Sequence, residues 1–216
     1  MATLTISSKN YSSWSLRGWL LVRLSGIAFD EVSVLPDDPD SRAETLLLSS
    51  SIRVPRLQYD GVECWHTLSI AEFLNELCPQ ARLLPDERAA RAHCRSICGE
   101  MHSGFIALRS ALPMNIRAHF KNFKIWSRAQ TDIDRITSIW RECLSLYGGP
   151  FLFGERPTIA DAIYAPVVLR FRTYDVDIDA VCAAYCQQVL ALPALQEWIA
   201  AAQCEPDDID ELEAEF

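Results

Sequence analysis

The sequence predicts an α/β domain followed by an all-α helical domain, and three observations support this fold class. Up to residue 82, strand-like runs and helical stretches occur in the order βαβα and then ββα, which is typical of a mixed sheet flanked by helices. From Asp86 onward the strand pattern stops and only helical periodicity remains. Leu83-Leu84-Pro85-Asp86 lies between the two patterns, so we predict domains at residues 1–82 and 86–216.

The first half begins with a strand, a helix and a second strand. Thr3 to Ile6 alternates polar and apolar residues, which predicts the first strand. Trp14 to Ser25 repeats leucine at helical spacing, and Phe29 to Leu35 is again strand-like. Pro36-Asp37-Asp38-Pro39 is then expected to form an acidic loop that leads into a short helix near Ser41 to Leu48.

Residues 54–77 combine a hairpin with a helix. Pro55 lacks an N–H, so it is expected at the start of a strand. A turn at Asp60-Gly61 leads to the return strand, residues 62–65. Thr67 is expected to cap the N-terminus of a helix with one apolar face, formed by Ile70, Ala71, Leu74 and Leu77. Because this helix start stands beside Pro55, the stretch predicts a concave site for an extended, anionic ligand.

Helical patterns fill the second half, at about 86–112, 121–146, 158–171, 178–190 and 194–203. The first of them has an apolar stripe that predicts core packing, formed by Met101, Phe105, Leu108 and Leu112. Thr158 is expected to cap the third helix. Asp161 is expected to accept a hydrogen bond from the Thr158 N–H, as in an acidic capping box.

Net charge and hydropathy limit the possible functions. A net charge of −9 and a pI near 4.9 argue against a nucleic-acid partner, which requires clustered Lys and Arg. No apolar run approaches about 18 residues and the N-terminus lacks a signal-peptide pattern, so we predict no membrane partner and a cytoplasmic location. Glu205 to Phe216 contains seven acidic residues and no basic one, which predicts a solvated end.

The eight cysteines are scattered through apolar helical sequence and form no C-x-x-C pair. We therefore predict reduced, mostly buried thiols. Cys94 and Cys98 lie one helical turn apart beside His93, but no second ligand pair has zinc spacing, so no metal site is predicted.

Two ordered motifs resemble the glutathione S-transferase family. Residues 54–74 resemble its V-P-x-L, G and E/D-S-x-A-I-x-x-Y-L pattern, with Thr67 in place of the serine. Residues 151–161 resemble its structural F-L-x-G-x-x-P-T-x-A-D signature. Since one motif lies in each half, the resemblance extends over nearly the whole chain, and it implies a serine-type, bacterial-like member of the cytosolic branch.

The resemblance implies a thioredoxin-like first domain, a cis bond before Pro55, and glutathione as co-substrate without a metal. It also implies a homodimer with a role in detoxification. The activity implied is the addition of the glutathione sulfur to a small hydrophobic electrophile.

The loop after the first strand resembles the S-x-x-S-x-R pattern of serine-type members. Ser12 is then expected to hydrogen-bond the glutathione sulfur and to stabilise the thiolate, with Ser13 as the substitute and Tyr11 as a tyrosine-type alternative. Some relatives have a cysteine where Trp14 stands, so cysteine-dependent chemistry is disfavoured. Arg17 is expected to pair with an acid and to fix the helix.

The rest of the cofactor site also follows from the resemblance. Val54, before Pro55, is expected to offer its backbone to the cysteinyl part of glutathione. Thr67 is expected to bind the γ-glutamyl carboxylate, and Arg53 the glycyl carboxylate. His66 departs from the acid that the family has at this position. Imidazole is a weaker acceptor for the glutathione ammonium than a carboxylate is.

The electrophile is expected to lie between the Ser12 loop and the first long helix. Its expected lining residues are Trp14, Met101, His102, Phe105 and Arg109. Two alternatives remain open. His66 favours a non-enzymatic binding or scaffold protein that has lost glutathione, and a glutathione-dependent isomerase would use the same site on another substrate.

Overall fold

The computed structural model describes residues 1–33 and 54–205. Its first half contains β1 (Ala2–Ile6), α1 (Ser13–Ser25), β2 (Phe29–Ser33), β3 (Arg56–Tyr59), β4 (Val62–Trp65) and α2 (Thr67–Leu77). The strands form one sheet in the order β2-β1-β3-β4, in which β1 and β2 are parallel and the other pairs antiparallel. The predicted mixed sheet is confirmed. The acidic loop at 36–39, the helix near 41–48 and Arg53 lie outside the described residues.

The second half is helical, as predicted. After a 3-10 turn at Pro79–Ala81 it contains α3 (Arg88–Ser103), α4 (Ile106–Ala111), α5 (Ser127–Tyr147), α6 (Ile159–Thr173), α7 (Ala180–Leu190) and α8 (Pro193–Gln203). The predicted linker contributes to the core, since Leu83 and Leu84 are buried. The domain limits 1–82 and 86–216 stay a prediction.

The helix predicted at 86–112 is broken, and this prediction was wrong. Helix α3 ends before Gly104, and Phe105 has a left-handed backbone with φ of 59°. Asp132 of α5 accepts a hydrogen bond from the Leu108 N–H at 2.9 Å, which satisfies a donor in the first turn of α4. The predicted stripe from Met101 to Leu112 is buried on both sides of the break.

Helix α6 forms the centre of the second half, and nearly all of its residues are buried. It packs against α1 of the first half and against α3. At its start, the Asp161 carboxylate accepts the Thr158 N–H at 2.7 Å, which confirms the predicted bond. The same carboxylate accepts the Thr158 hydroxyl, the Leu152 N–H and the Tyr185 hydroxyl, each at 3.1 Å.

All eight cysteines are free, and six of them are buried, as predicted. Burial raises the pKa of the Cys143, Cys182 and Cys186 thiols to about 12, which disfavours thiolate chemistry there. Within residues 1–33 and 54–205, no group of three or more His, Cys, Asp or Glu side chains is arranged to hold a metal ion. None of the helices in these ranges is both long and apolar enough to cross a membrane.

Candidate active site

Three serine hydroxyls connect the end of β1 to the start of α1. Ser12 is the N-cap of α1, and its Oγ accepts the Ser15 N–H at 3.2 Å. The Ser12 hydroxyl donates to Ser15 Oγ at 2.9 Å. Ser15 Oγ also accepts the Ser7 N–H at 2.9 Å and lies 3.2 Å from Ser7 Oγ. Because Ser15 is buried, its contacts fix the position of the half-buried Ser12.

The neighbouring Ser13 is oriented toward the helical half. Its oxygen accepts a hydrogen bond from Arg170 Nη2 at 2.8 Å. Its hydroxyl donates to the sulfur of Met114 at 3.6 Å, a weak acceptor. Ser12 and Ser13 are therefore held by different parts of the molecule.

Buried polar side chains hold the loop that precedes Ser12. Asn10 is fully buried, and its Oδ1 accepts the N–H groups of Ile116 and Arg117 at 2.8 and 3.0 Å. The Glu205 carboxylate accepts the Ser8 hydroxyl at 2.8 Å and the N–H groups of Lys9 and Asn10 at 2.7 and 3.0 Å. Glu205 was predicted to be solvated. Its carboxylate instead accepts hydrogen bonds from residues 8–10 and so holds the loop between β1 and α1, called the serine loop below.

The Val54-Pro55 peptide bond is cis, as predicted. Helix α1 packs closely on the proline ring at Gly18, since a Cβ added there would lie only 2.3 Å from Pro55 Cβ. Gly18 thus allows the start of α1 and the Val54-Pro55 bond to lie side by side.

The start of α2 differs from the prediction by one residue. The N-cap is His66, whose φ of 69° is left-handed and whose side chain makes no capping bond. Thr67, predicted to be the cap, is the first residue of α2 and is fully buried. Its Oγ1 lies 3.5 Å from His102 Nδ1 on α3, so this hydroxyl faces the helical half.

His66 is exposed, and its ring centroid lies 5.9 Å from that of His102. The imidazole therefore contacts α3. Burial is the largest influence on the pKa of His102 and lowers it, and the charges of His66, Arg17 and Arg109 lower it further. His102 is thus neutral at pH 7 and can donate from one ring nitrogen and accept at the other.

Trp14 lies at the centre of a cationic cluster. The guanidinium carbons of Arg17 and Arg109 lie 4.8 and 5.0 Å from the centroid of its ring, within cation–π distance. The His102 ring meets the indole edge-on at 5.0 Å. Trp14, His102 and Arg109 are half-buried and lie together, and their role in an electrophile site stays a prediction. Met101 and Phe105 are 1% and 8% exposed, so they form the core beneath this surface.

The sequence predicted an acid partner for Arg17. Among the residues that the structure describes, Arg17 forms no ion pair. It is 1% exposed, and its Nε donates to the Ile163 carbonyl at 2.8 Å. Burial lowers the pKa of Arg17 well below its usual range, and the charges of Arg109 and Arg170 act in the same direction. Arg17 therefore fixes α1 to α6 through a backbone carbonyl.

Arg170 was not predicted as a site residue. Arg170 is buried. Its Nε donates to the Leu112 carbonyl at 2.8 Å, its Nη1 donates to the Pro166 carbonyl at 3.2 Å, and its Nη2 donates to the Ser13 hydroxyl oxygen. Burial lowers its pKa to about 10, so it stays protonated at pH 7. The sequence feature that could have indicated a role for Arg170 is its position directly after a long apolar helical run, at residues 162–169.

His102 contacts both Thr67 and Trp14, which brings the starts of α1 and α2 into one region of the molecule. The N-termini of α1 and α2 both favour negative charge. Ser12 and Ser13 offer hydroxyls at the first of these ends, Thr67 offers one at the second, and the cations around Trp14 add positive potential. The arrangement can bind a multiply charged anion and stabilise a developing anion such as a thiolate.

Comparison with known proteins gives a consistent result. Residues 11–77 match the family described as "Glutathione S-transferase, N-terminal domain", and residues 89–201 match "Glutathione S-transferase, C-terminal domain". The maleylacetoacetate isomerase of Rattus norvegicus is 28% identical over 169 residues, which cover 77% of this chain and 76% of the relative. The probable maleylacetoacetate isomerase 2 of Drosophila melanogaster is 31% identical over 126 residues, which cover 58% and 54%.

Solved structures share the fold. A glutathione transferase homolog from Burkholderia, crystallised with bound glutathione, has a TM-score of 0.70 at 22% identity and covers 94% of this chain and 98% of that one. A maleylacetoacetate isomerase from Anaeromyxobacter dehalogenans with bound glutathione has a TM-score of 0.65 at 21% identity, covering 96% and 97%. Because the two family matches together span most of both halves, the chain belongs to the glutathione S-transferase family.

Proposed function

We propose that this protein is a glutathione transferase that activates the glutathione thiol for addition to a small electrophile. The observation that supports this most directly is the chain of hydroxyls from Ser7 through Ser15 to Ser12, at the N-terminus of the helix that packs on Pro55 through Gly18. The Burkholderia glutathione transferase homolog was crystallised with bound glutathione, and the Anaeromyxobacter maleylacetoacetate isomerase has glutathione bound in its active site.

Five residues bind glutathione in this proposal. The Val54 backbone, presented by the cis bond to Pro55, pairs with the cysteinyl part. The Thr67 hydroxyl and the N–H groups at the start of α2 donate to the γ-glutamyl carboxylate, because the fully buried Thr67 hydroxyl has a single, long contact within the described residues, to His102. His66 lies next to that group. Arg53, outside the described residues, is proposed for the glycyl carboxylate on the resemblance alone.

Glutathione supplies the nucleophile when bound, as its thiolate. Ser12 stabilises that charge by donating its hydroxyl hydrogen bond. This requires the Ser12 hydroxyl to turn from Ser15 Oγ, after which the Ser15 hydroxyl donates to Ser12 and the Ser7 hydroxyl donates to Ser15. Each hydroxyl then polarises the next, which strengthens the last bond in the chain.

Ser12→Ala tests this assignment. We expect turnover to fall about tenfold or more, because a hydrogen bond to a charged group contributes about 1.5–3 kcal/mol. Loss of the N-cap should cost about 1 kcal/mol of stability and leave the protein folded. The measurement is steady-state kinetics with glutathione and 1-chloro-2,4-dinitrobenzene, with thermal unfolding in parallel.

Ser13→Ala is the matched control, since Ser13 is adjacent but is held by Arg170. It should reduce turnover less than Ser12→Ala does. Full activity in Ser12→Ala together with inactivity in Ser13→Ala would assign the thiolate contact to Ser13.

A glutathione-dependent isomerase is the second candidate, because several curated relatives have the name maleylacetoacetate isomerase. In such a reaction the thiolate adds to a conjugated double bond, rotation follows, and elimination returns glutathione. Trp14 provides no thiol of its own, so glutathione is the sole sulfur nucleophile in this hypothesis. Unchanged glutathione after turnover of a cis-enedione would identify the isomerase.

The scaffold alternative requires that glutathione no longer binds. Calorimetric titration with glutathione decides this point, since a protein that binds it at micromolar to millimolar concentration keeps the cofactor site. A cytoplasmic location and a role in detoxification rest on the family resemblance.

We also propose a homodimer in which the first domain of one chain packs on the helical domain of the other. This rests on the resemblance. Sedimentation at micromolar concentration should show the mass of two chains, and a monomer alone would refute it.

A further inference from the structure

Three arginines near Ser13 and Trp14 form no ion pair with a carboxylate within residues 1–33 and 54–205. Arg17 and Arg170 are 1% and 6% exposed, and Arg109 is half-buried. In the ranges that the structure describes, their hydrogen-bond acceptors are backbone carbonyls and the Ser13 hydroxyl. Five other arginines form ion pairs with exposed side chains: Arg23, Arg82, Arg95, Arg135 and Arg141. Within the described residues, the buried guanidinium groups of Arg17 and Arg170 thus have no carboxylate partner. A buried charge without a counter-charge lowers the stability of the folded protein.

Arg17 and Arg109 each have one nitrogen whose hydrogen-bonding capacity is unused among the described residues. Arg17 Nη1 and Arg109 Nε are buried and have no hydrogen-bond partner within residues 1–33 and 54–205. Buried polar atoms are nearly always paired, so each unpaired one requires an explanation. Both guanidinium groups lie within about 5 Å of the Trp14 ring, so the two donors belong to one local site.

The position of the cluster separates it from the proposed glutathione contacts. Those contacts all belong to the first half of the chain: Ser12, Arg53, the Val54 backbone, His66 and Thr67. Arg109 is in α4, and its Nη2 donates to the Met101 and His102 carbonyls, which joins α4 to the end of α3. The cluster therefore lies where the first half meets the helical half, on the side expected for the second substrate.

We propose that Arg17 and Arg109, with Trp14 between the serine loop and α4, form an anion subsite that binds a carboxylate of the second substrate. This proposal rests on the proposed function, because it concerns the second substrate of that reaction. It assigns the substrate class: electrophiles that have a carboxylate are preferred to neutral ones. A carboxylate matches the planar guanidinium fork and can take up both unpaired donors. Arg170 adds positive potential from behind Ser13.

The kinetic experiment compares two electrophiles of nearly the same shape, 4-chloro-3-nitrobenzoate and 4-chloro-3-nitrobenzamide. In both, the glutathione thiolate forms the C–S bond, chloride leaves with the electron pair of the C–Cl bond, and the thiol proton goes to solvent. Each kcat/KM is divided by the uncatalysed rate constant, which removes the difference in intrinsic reactivity. We expect the normalised value to favour the benzoate by about 10- to 100-fold.

Arg109→Met should remove most of this preference, because it deletes the charge and keeps an unbranched chain. Arg128→Met is the matched control: it removes an exposed arginine of α5 that makes none of the contacts described here, and the preference should stay at the wild-type value. Equal normalised rates for the two electrophiles in the wild-type protein would overturn the subsite, whether or not Arg109→Met folds.

A binding measurement separates this proposal from the proposed function. Calorimetric titration with the unreactive 4-amino-3-nitrobenzoate and its amide, without glutathione, should show tighter binding of the benzoate by at least tenfold. Equal affinities refute the anion subsite even if conjugation is observed. A clear preference for the benzoate in a protein that conjugates neither electrophile supports the subsite and refutes the transferase.

Discussion

Asp161→Ala should lower the free energy of unfolding by about 3–5 kcal/mol, the largest stability effect expected here. The carboxylate is fully buried and accepts four hydrogen bonds, from the Thr158 N–H and hydroxyl, the Leu152 N–H and the Tyr185 hydroxyl. Alanine leaves these donors buried without an acceptor. The loss acts on three segments at once, since the donors belong to the start of α6, the preceding loop and α7.

Urea unfolding followed by circular dichroism measures this effect. Asp161→Asn should be intermediate, because the amide keeps one acceptor oxygen and presents N–H₂ to the other two donors. Asp134→Ala is a suitable control, since Asp134 is exposed and accepts one bond, from Gln130 in the same helix. It should change the unfolding free energy by less than about 0.5 kcal/mol. A loss below about 1 kcal/mol for Asp161→Ala would show that the four bonds are replaced by water.

Features that depend on residues a few positions apart could be predicted from the sequence. The hairpin at residues 56–65 follows from the Asp60-Gly61 turn, and the bond between Thr158 and Asp161 follows from their spacing. The order of strands and helices in the first half follows from the change of hydrophobic period. In each case one short stretch contains both partners of the interaction.

Features that depend on distant partners could not be predicted. The break at Phe105 is stabilised by Asp132 from another helix, and the apolar stripe continues through the break, so periodicity gave no sign of it. The one-residue error at Thr67 has a similar origin. Left-handed φ is unusual for a non-glycine residue, and no local signal at His66 indicated it.

The candidate site shows the same division. Ser12 and Ser13 follow from the loop pattern, but their different bonding depends on Ser7 and on Arg170. An acid partner was also expected for Arg17. That expectation failed because the fold gathers arginines at this place, and sequence spacing does not show which helices meet.

His66→Glu should tighten glutathione binding by about 10- to 150-fold, since a charge-assisted bond to the glutathione ammonium contributes about 1.5–3 kcal/mol. The position suits this test. His66 is exposed, directly precedes the fully buried Thr67, and has its ring near His102. A carboxylate here would face the ammonium of a γ-glutamyl group whose carboxylate is held at the start of α2.

Calorimetric titration with glutathione at pH 7 measures the change, and two variants isolate its cause. His66→Gln offers a neutral acceptor, so it should gain much less than His66→Glu does. His119→Glu makes the same change of charge at an exposed position away from the cleft, and glutathione affinity should stay at the wild-type value.

The nearby cations affect the size of the gain. A glutamate at position 66 would also attract the imidazolium form of His102, and that form is disfavoured because burial lowers the pKa of His102. At pH 7 the new carboxylate is therefore available mainly to the ligand. The affinity of His66→Glu for glutathione should fall as the pH falls and His102 becomes protonated, because the imidazolium then competes with the glutathione ammonium. Unchanged or weaker binding in His66→Glu at pH 7 would place the γ-glutamyl group elsewhere than beside Thr67.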